Sequence, residues 1–172
     1  MANQLVVYYY RKGENHMPGG IQFLEKGHTA FAAEYIREAV GADLFEIDTI
    51  TPYAANYREC CMQAVQEAKA KARPEIQACP DDISQYDTIF VCFPCWCGTA
   101  PMCVFTFLER YDLTGKTIIP LCTNEGSGLA NAPKDLAASC PGAEIKPGLA
   151  VYGHLVQSSQ AQIAEWAKAQ ME

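Results

Sequence analysis

Basic residues are in short supply in this chain: 13 lysines and arginines stand against 20 aspartates and glutamates, leaving a formal net charge of -7 over 172 residues. The densest basic stretch is the short Lys69-Ala70-Lys71-Ala72-Arg73, so no nucleic-acid partner is expected, because a phosphate backbone demands clustered cations. An acidic surface suits docking on basic protein partners instead. No apolar run is long enough to span a bilayer, which excludes a helical membrane role. The N-terminus runs directly into Leu5-Val6-Val7, with no basic region, longer apolar segment or small-residue cleavage site. No secretory signal is therefore read, and a cytoplasmic setting is expected. Internal repeats, low-complexity tracts and linkers are missing too, and the length fits a single domain over residues 1–172.

Cysteine, by contrast, is plentiful. There are nine, an odd number that includes the vicinal pair Cys60-Cys61. Without a secretory signal they read as reduced thiols, several of them small apolar core residues, and not as a disulfide framework.

Hydrophobic periodicity predicts strands alternating with helices. Residues 4–10 form a Val- and Tyr-rich strand, and residues 29–40 a helix with Phe31, Ala32, Tyr35, Ile36 and Ala39 at helical spacing, stopped by Gly41. A second strand over 43–50 is ended by Pro52, and a helix over 57–72 by Pro74. Then follow a strand over 87–93, a helix over 102–110, a strand over 117–122 and a helix over 129–139 with Pro133 near its start. A fifth strand over 145–152 is interrupted by Pro147-Gly148, and residues 158–171 form a closing helix with a Ser-x-x-x-Gln opening. Five strands joined by helical crossovers predict a three-layer α/β/α sandwich around a parallel sheet. The six-strand dinucleotide fold would place Gly-x-Gly-x-x-Gly after the first strand, where this chain reads Tyr10-Arg11-Lys12-Gly13-Glu14-Asn15. The five-strand order 2-1-3-4-5 fits better.

Ligands of open α/β sheets sit beyond the carboxyl ends of the strands, so three loops hold the candidate site. The first runs from Arg11, Lys12, Gly13 and Asn15 through Pro18-Gly19-Gly20 to Gly27, His28 and Thr29, where backbone amides and a helix N-terminus suit a phosphate. The second is Phe93-Pro94-Cys95-Trp96-Cys97-Gly98-Thr99-Ala100-Pro101, which displays a tryptophan able to cover a flat ring. The third is Cys122-Thr123-Asn124-Glu125-Gly126-Ser127-Gly128, whose glycines let the backbone approach a planar ligand.

Cys92-x-x-Cys95-x-Cys97 with Cys103 downstream also has enough thiolates for a zinc or iron-sulfur site. Cys92, however, lies within the strand pattern facing the core, and Pro94 and Trp96 leave little room for ligands to converge, so no metal is assigned. Cys95 and Cys97 remain candidate redox-active thiols. Isolated histidines such as His28 and His154 usually solvate or cap, and Glu46, Asp48 and Glu59 fit a solvated sheet edge and helix face. No Ser-His-Asp or Cys-His arrangement occurs at a defined spacing.

At the second and third loops the chain resembles the flavodoxin family, most closely a flavodoxin-like branch reading Tyr-Pro-x-Trp-Trp-Gly-Thr-x-Pro and then Cys-Thr-x-x-Gly-Ser-Gly. The resemblance spans residues 5–153. It implies bound flavin mononucleotide (FMN), with the phosphate at Arg11, Lys12, Gly13, Asn15, Gly27, His28 and Thr29. The isoalloxazine would lie between Pro94, Cys95, Trp96, Cys97, Gly98 and Thr99 on one side and Thr123, Asn124, Glu125, Gly126, Ser127 and Gly128 on the other. Trp96 would contact the ring, and main-chain groups would tune its potential. The first loop departs from the family's Ser-x-Thr-Gly-Asn-Thr: Tyr10 replaces the leading serine and an insertion precedes Gly27-His28-Thr29. The resemblance implies an electron carrier between a reductase and an acceptor, acting as a monomer or weak dimer. The alternatives are a flavin-dependent NAD(P)H/quinone-type oxidoreductase and a flavin-free binding module.

Overall fold

The structure, a computed structural model, describes residues 3–172. Side chains of β1 (Gln4–Tyr8) alternate between two hydrophobic clusters: Leu5 and Val7 enter one, Val6 and Tyr8 the other. β5 (Thr88–Pro94) and β6 (Thr117–Asn124) do the same, so each is a near-continuous apolar run buried on both faces, as a central parallel strand requires. With β4 (Asp43–Glu46), β7 (Glu144–Ile145) and β8 (Leu149–Tyr152) they form a parallel sheet in the order β4-β1-β5-β6, with β7 and β8 both on the outer edge of β6. This is the expected 2-1-3-4-5 order of a flavodoxin-like fold, its fifth strand in two pieces.

One face is covered by α1 (His28–Val40) and α5 (Gln160–Ala169), whose Ile36, Ile163 and Ala167 meet Phe90 and Leu121. The other is covered by α3 (Met102–Leu108) and α4 (Ala132–Ser139) through Phe105, Phe107 and Leu136. α2 (Tyr57–Ala70) opens with Asn56, whose side chain accepts from the Glu59 amide at 3.0 Å, and buries Cys60 and Ala64. Among the described residues no helix is long and apolar enough to cross a membrane.

The structure differs from the expectations at the inserted loop and at element ends, α4 for instance starting at Ala132 and not at residue 129. The insertion in the first loop is an antiparallel hairpin of β2 (Gly13–Met17) and β3 (Gly20–Leu24), turning through Gly19 and Gly20 at φ 91° and 135°. The second strand ends at Glu46, with one last bond from the Ile47 amide to Tyr8 O at 2.7 Å, and its continuation pairs elsewhere: Ile50 donates to Glu75 and Gln77 to Asp48 at 3.0 and 2.8 Å. The closing helix begins at Gln160 after a 3₁₀ segment, Gly153–Ser159, because the Ser158 and Ser159 hydroxyls turn back onto the Leu155 carbonyl and cap nothing.

The split between β7 and β8 falls beside Pro120, which has no amide to give the ladder. Gly148 packs there at φ +81°, where a Cβ would stand 2.5 Å from the Pro120 carbonyl oxygen. Gly148→Ala is expected to cost about 2–4 kcal/mol in urea denaturation, by strain plus collision. Gly41→Ala, with a similar φ of +69° but open space around it, is expected to cost about 1 kcal/mol. Equal losses would mean that close packing against Pro120 does not matter.

Candidate functional site

Parallel register brings the loops together. Phe93 lies opposite Cys122 and Pro94 opposite Thr123, and the Cys95 amide extends the ladder by donating to the Thr123 carbonyl at 3.0 Å. At this carboxyl edge of the sheet opens a cleft of ≈ 350 Å³. Of the residues singled out in the sequence, Arg11, Asn15, His28, Pro94, Cys95, Trp96, Cys97, Thr123, Asn124, Glu125 and Ser127 line it.

The tryptophan loop is a tight turn in which Trp96 and Thr99 exchange amide–carbonyl bonds of 2.8 and 3.1 Å. Cys97 and Gly98 occupy its centre at φ 54° and 74°, the left-handed pair of a type I′ turn. Trp96 is half-buried and braced edge-on by Tyr9 (centroids 5.3 Å apart, planes at 81°) and Tyr53 (4.9 Å, 85°). Tyr53 is itself anchored by its hydroxyl on the Glu67 carboxylate. The indole is thus a fixed wall whose orientation is set from behind.

The third loop is organised by Asn124. Its Oδ1 accepts from Gly126 and Gly128 amides at 2.9 and 3.1 Å, and its Nδ2 donates to Val151 O at 3.1 Å. Glu125 accepts from the main-chain N–H of His154 at 2.9 Å and faces its Nδ1 at 2.5 Å.

The first loop reaches the cleft despite its insertion because the hairpin is closed at its neck. Gly27 packs so tightly on Arg11 that a Cβ would lie 2.6 Å from the Arg11 carbonyl oxygen, and Asn15 Nδ2 donates to that oxygen at 3.1 Å. The start of α1 is thereby returned to the end of β1, and Thr29 meets Thr123 across the sheet, hydroxyl to hydroxyl, at 2.8 Å. Arg11 is 6% exposed, and its guanidinium donates to Ala55 O at 2.8 Å and Glu14 O at 3.3 Å. Its charge lies at the cleft, but those two bonds are spent on holding the hairpin. Lys12 pairs with Glu25 at 3.5 Å on the outer side of the hairpin, and with Gly13 it borders a separate surface hollow beside Asp48 and Tyr53. Gly98, Thr99, Gly126 and Gly128 shape the turns without lining the cleft.

The far wall was not singled out in the sequence. It consists of Glu14 and His16 of β2 and Tyr57, Cys60, Cys61, Ala64 and Val65 of α2. Glu14 joins the two elements: its carboxylate accepts from the Tyr57 amide at 2.8 Å and its own amide donates to Ala55 O at 2.9 Å. The helical spacing of Tyr57, Cys61, Ala64 and Val65 was legible, but it reads equally as a face toward the core. Gly153 is a further member of the site, since a Cβ there would lie 2.5 Å from His28 Cδ2.

A model of the Flavodoxin family matches residues 21–170. The chain belongs to the flavodoxin family. Among solved structures it is similar to a candidate flavoprotein from Bacteroides uniformis, at 29% identity and TM-score 0.76 over 97% of this chain and 98% of that one. A second candidate flavoprotein, from Bacteroides eggerthii, gives 28% and 0.67 over 94% and 97%. A flavoprotein from Lactobacillus acidophilus, solved in complex with FMN, shares the fold at 19% identity and TM-score 0.65 over 92% and 98%. No curated protein matches.

The residues present fit a flavin. Trp96 offers a braced aromatic wall at the cleft, the first amides of α1 lack intrahelical partners, and the buried Nε2 of His28, which lines the cleft, has no hydrogen-bond partner among the described residues. Among those residues no group of three or more His, Cys, Asp or Glu side chains converges to hold a metal ion.

Burial pushes the His28 imidazole below its ordinary pKa, partly opposed by Glu125 and assisted by His154. The unfolded chain therefore binds this proton more readily than the folded one. The resulting stability is present above the ordinary histidine value of about 6.5 and is lost as pH falls through the lower folded value. His28→Asn removes the linkage. Unfolding free energies followed from about pH 8 to about pH 5 should fall more steeply in the unmodified chain than in the variant. Parallel curves would show that burial does not lower the His28 pKa.

Proposed function

We propose that the chain binds FMN in this cleft and works as an electron-transfer protein between a reductase and an acceptor. The observation that supports the reading best is the convergence of the three loops on one cleft with Trp96 braced by Tyr9 and Tyr53. The phosphate would lie at the N-terminus of α1, where the amides of His28 and Thr29 meet the positive end of the helix dipole. Thr29 is tied to Thr123, so the same contact that positions the phosphate end also positions the wall facing the ring. Asn124 fixes the turn that carries Glu125 and Ser127, which line the cleft beside the place of the ring. Bound there, the flavin would supply the electron chemistry, while the protein orients it and sets its surroundings. The net charge of -7 favours basic redox partners.

The hairpin favours a second reading. Its contact with α2 through Glu14 walls one end of the cleft, as a small-molecule substrate site would require, and so supports a flavin-dependent oxidoreductase. Anaerobic reduction of the flavin-loaded protein separates the two. The carrier reading expects NAD(P)H alone to leave the flavin absorbance unchanged over minutes, and a catalytic amount of a flavodoxin reductase to bleach it. Rapid bleaching by NAD(P)H alone, with turnover on a quinone, would replace the carrier with the oxidoreductase.

A further inference from the structure

The wall that carries Trp96 has a cavity on either side. The indole lines the cleft, and Tyr53, which meets it edge-on with centroids 4.9 Å apart, lines the separate hollow beside Tyr10, Lys12, Glu46 and Asp48. Two aromatic rings in contact thus join the cleft to an outer surface of the molecule.

Tyr9 also turns an edge to the indole, at 5.3 Å, but the two phenols differ in what their hydroxyls touch. The Tyr53 hydroxyl donates to the Glu67 carboxylate on α2, at 2.5 Å to Oε1 and 3.0 Å to Oε2. Tyr9 is buried beside Cys60 and Cys103, and among the described residues its hydroxyl makes no such bond.

That difference decides which ring can give up an electron. A phenol that loses an electron becomes a strong acid, so its oxidation is easy only where the proton has somewhere to go, and a carboxylate already bonded to the hydroxyl is such a place. An indole can lose an electron while keeping its proton. Burial raises the Glu67 carboxyl above its ordinary value, against the bond from Tyr53, and raises the Tyr53 phenol as well, so the proton stays on Tyr53 until the ring is oxidised.

We propose that Trp96, Tyr53 and Glu67 form a relay that carries one-electron oxidising equivalents out of the cleft through its wall. A one-electron oxidant in the cleft takes an electron from the indole. Tyr53 then gives one electron to the indole radical cation as its hydroxyl proton passes to Glu67, leaving a neutral indole, a neutral tyrosyl radical and a protonated carboxyl. The relay rests on the chain alone; photoexcited flavin as the oxidant rests on the cofactor reading above.

The test is pulse radiolysis of the flavin-free full chain with azidyl radical, which oxidises indole in preference to phenol. Indole-radical absorbance should give way to tyrosyl absorbance at a rate independent of protein concentration. The other tryptophan, Trp166, has Phe90 as its ring neighbour, at 5.8 Å, so Trp166→Phe should leave the transfer intact. Tyr53→Phe keeps the ring against the indole and should abolish the tyrosyl signal, whereas Tyr9→Phe should leave it. Glu67→Gln should slow the transfer at least about tenfold, the equivalent of one charge-assisted hydrogen bond. Heavy water should slow it in the unmodified chain, which reports the same proton if Glu67→Gln does not fold. No conversion in the unmodified chain, or an equal signal in Tyr53→Phe, overturns the relay. An unchanged rate in Glu67→Gln, or in heavy water, overturns the part given to the carboxylate. Flash excitation of the FMN-loaded chain should yield the same tyrosyl radical; none, with FMN demonstrably bound, overturns flavin as the oxidant. Azidyl-driven transfer in a chain that never binds FMN upholds the relay and overturns the cofactor reading.

Discussion

Everything at the candidate site depends on the register between β5 and β6. Because Pro94 lies opposite Thr123 and the Cys95 amide continues that ladder, the tryptophan loop and the asparagine-centred loop leave the sheet side by side. The separation of the cleft's walls is therefore set by hydrogen bonding between two strands buried along their centres. The Thr29–Thr123 contact adds the first loop to the same frame, so α1 cannot shift without disturbing the end of β6.

The inserted hairpin is the chain's main departure from a minimal doubly wound sheet, and two contacts make it tolerable. Gly27 on the Arg11 backbone closes the neck, so the excursion leaves the approach of β1 to α1 unaltered. Arg11 and Glu14 then lock the hairpin onto the segment that opens α2. Arg11 is used structurally here, so an anion at that end of the cleft would meet the backbone amides of α1 and His28, whose pKa burial lowers.

Much of the fold was legible because buried parallel strands are continuous apolar runs, and β1, β5 and β6 are of that kind. The motifs at residues 93–101 and 122–128 were legible for a related reason: glycine, proline and tryptophan at a strand end carry their geometry in their identity. The hairpin was not, since Gly13–Met17 and Gly20–Leu24 mix polar, glycine and apolar residues, and Ile21 and Phe23 stay exposed at 46% and 56%. Nor was the early end of the second strand, because residues 48–50 stay extended while pairing with residues 75–77 instead of the sheet. The α2 wall stayed hidden because an amphipathic helix does not state which neighbour its apolar stripe will meet.

The most direct measurement of the central claim is a fluorescence titration of the flavin-free chain with FMN, run in parallel with riboflavin. Stacking against Trp96 should quench the flavin emission saturably, with one site per chain. Loss of the phosphate contacts at α1 should weaken riboflavin at least about tenfold, the equivalent of one charge-assisted hydrogen bond. Flavin emission that stays unquenched at micromolar protein, or FMN and riboflavin bound with equal affinity, would contradict the account.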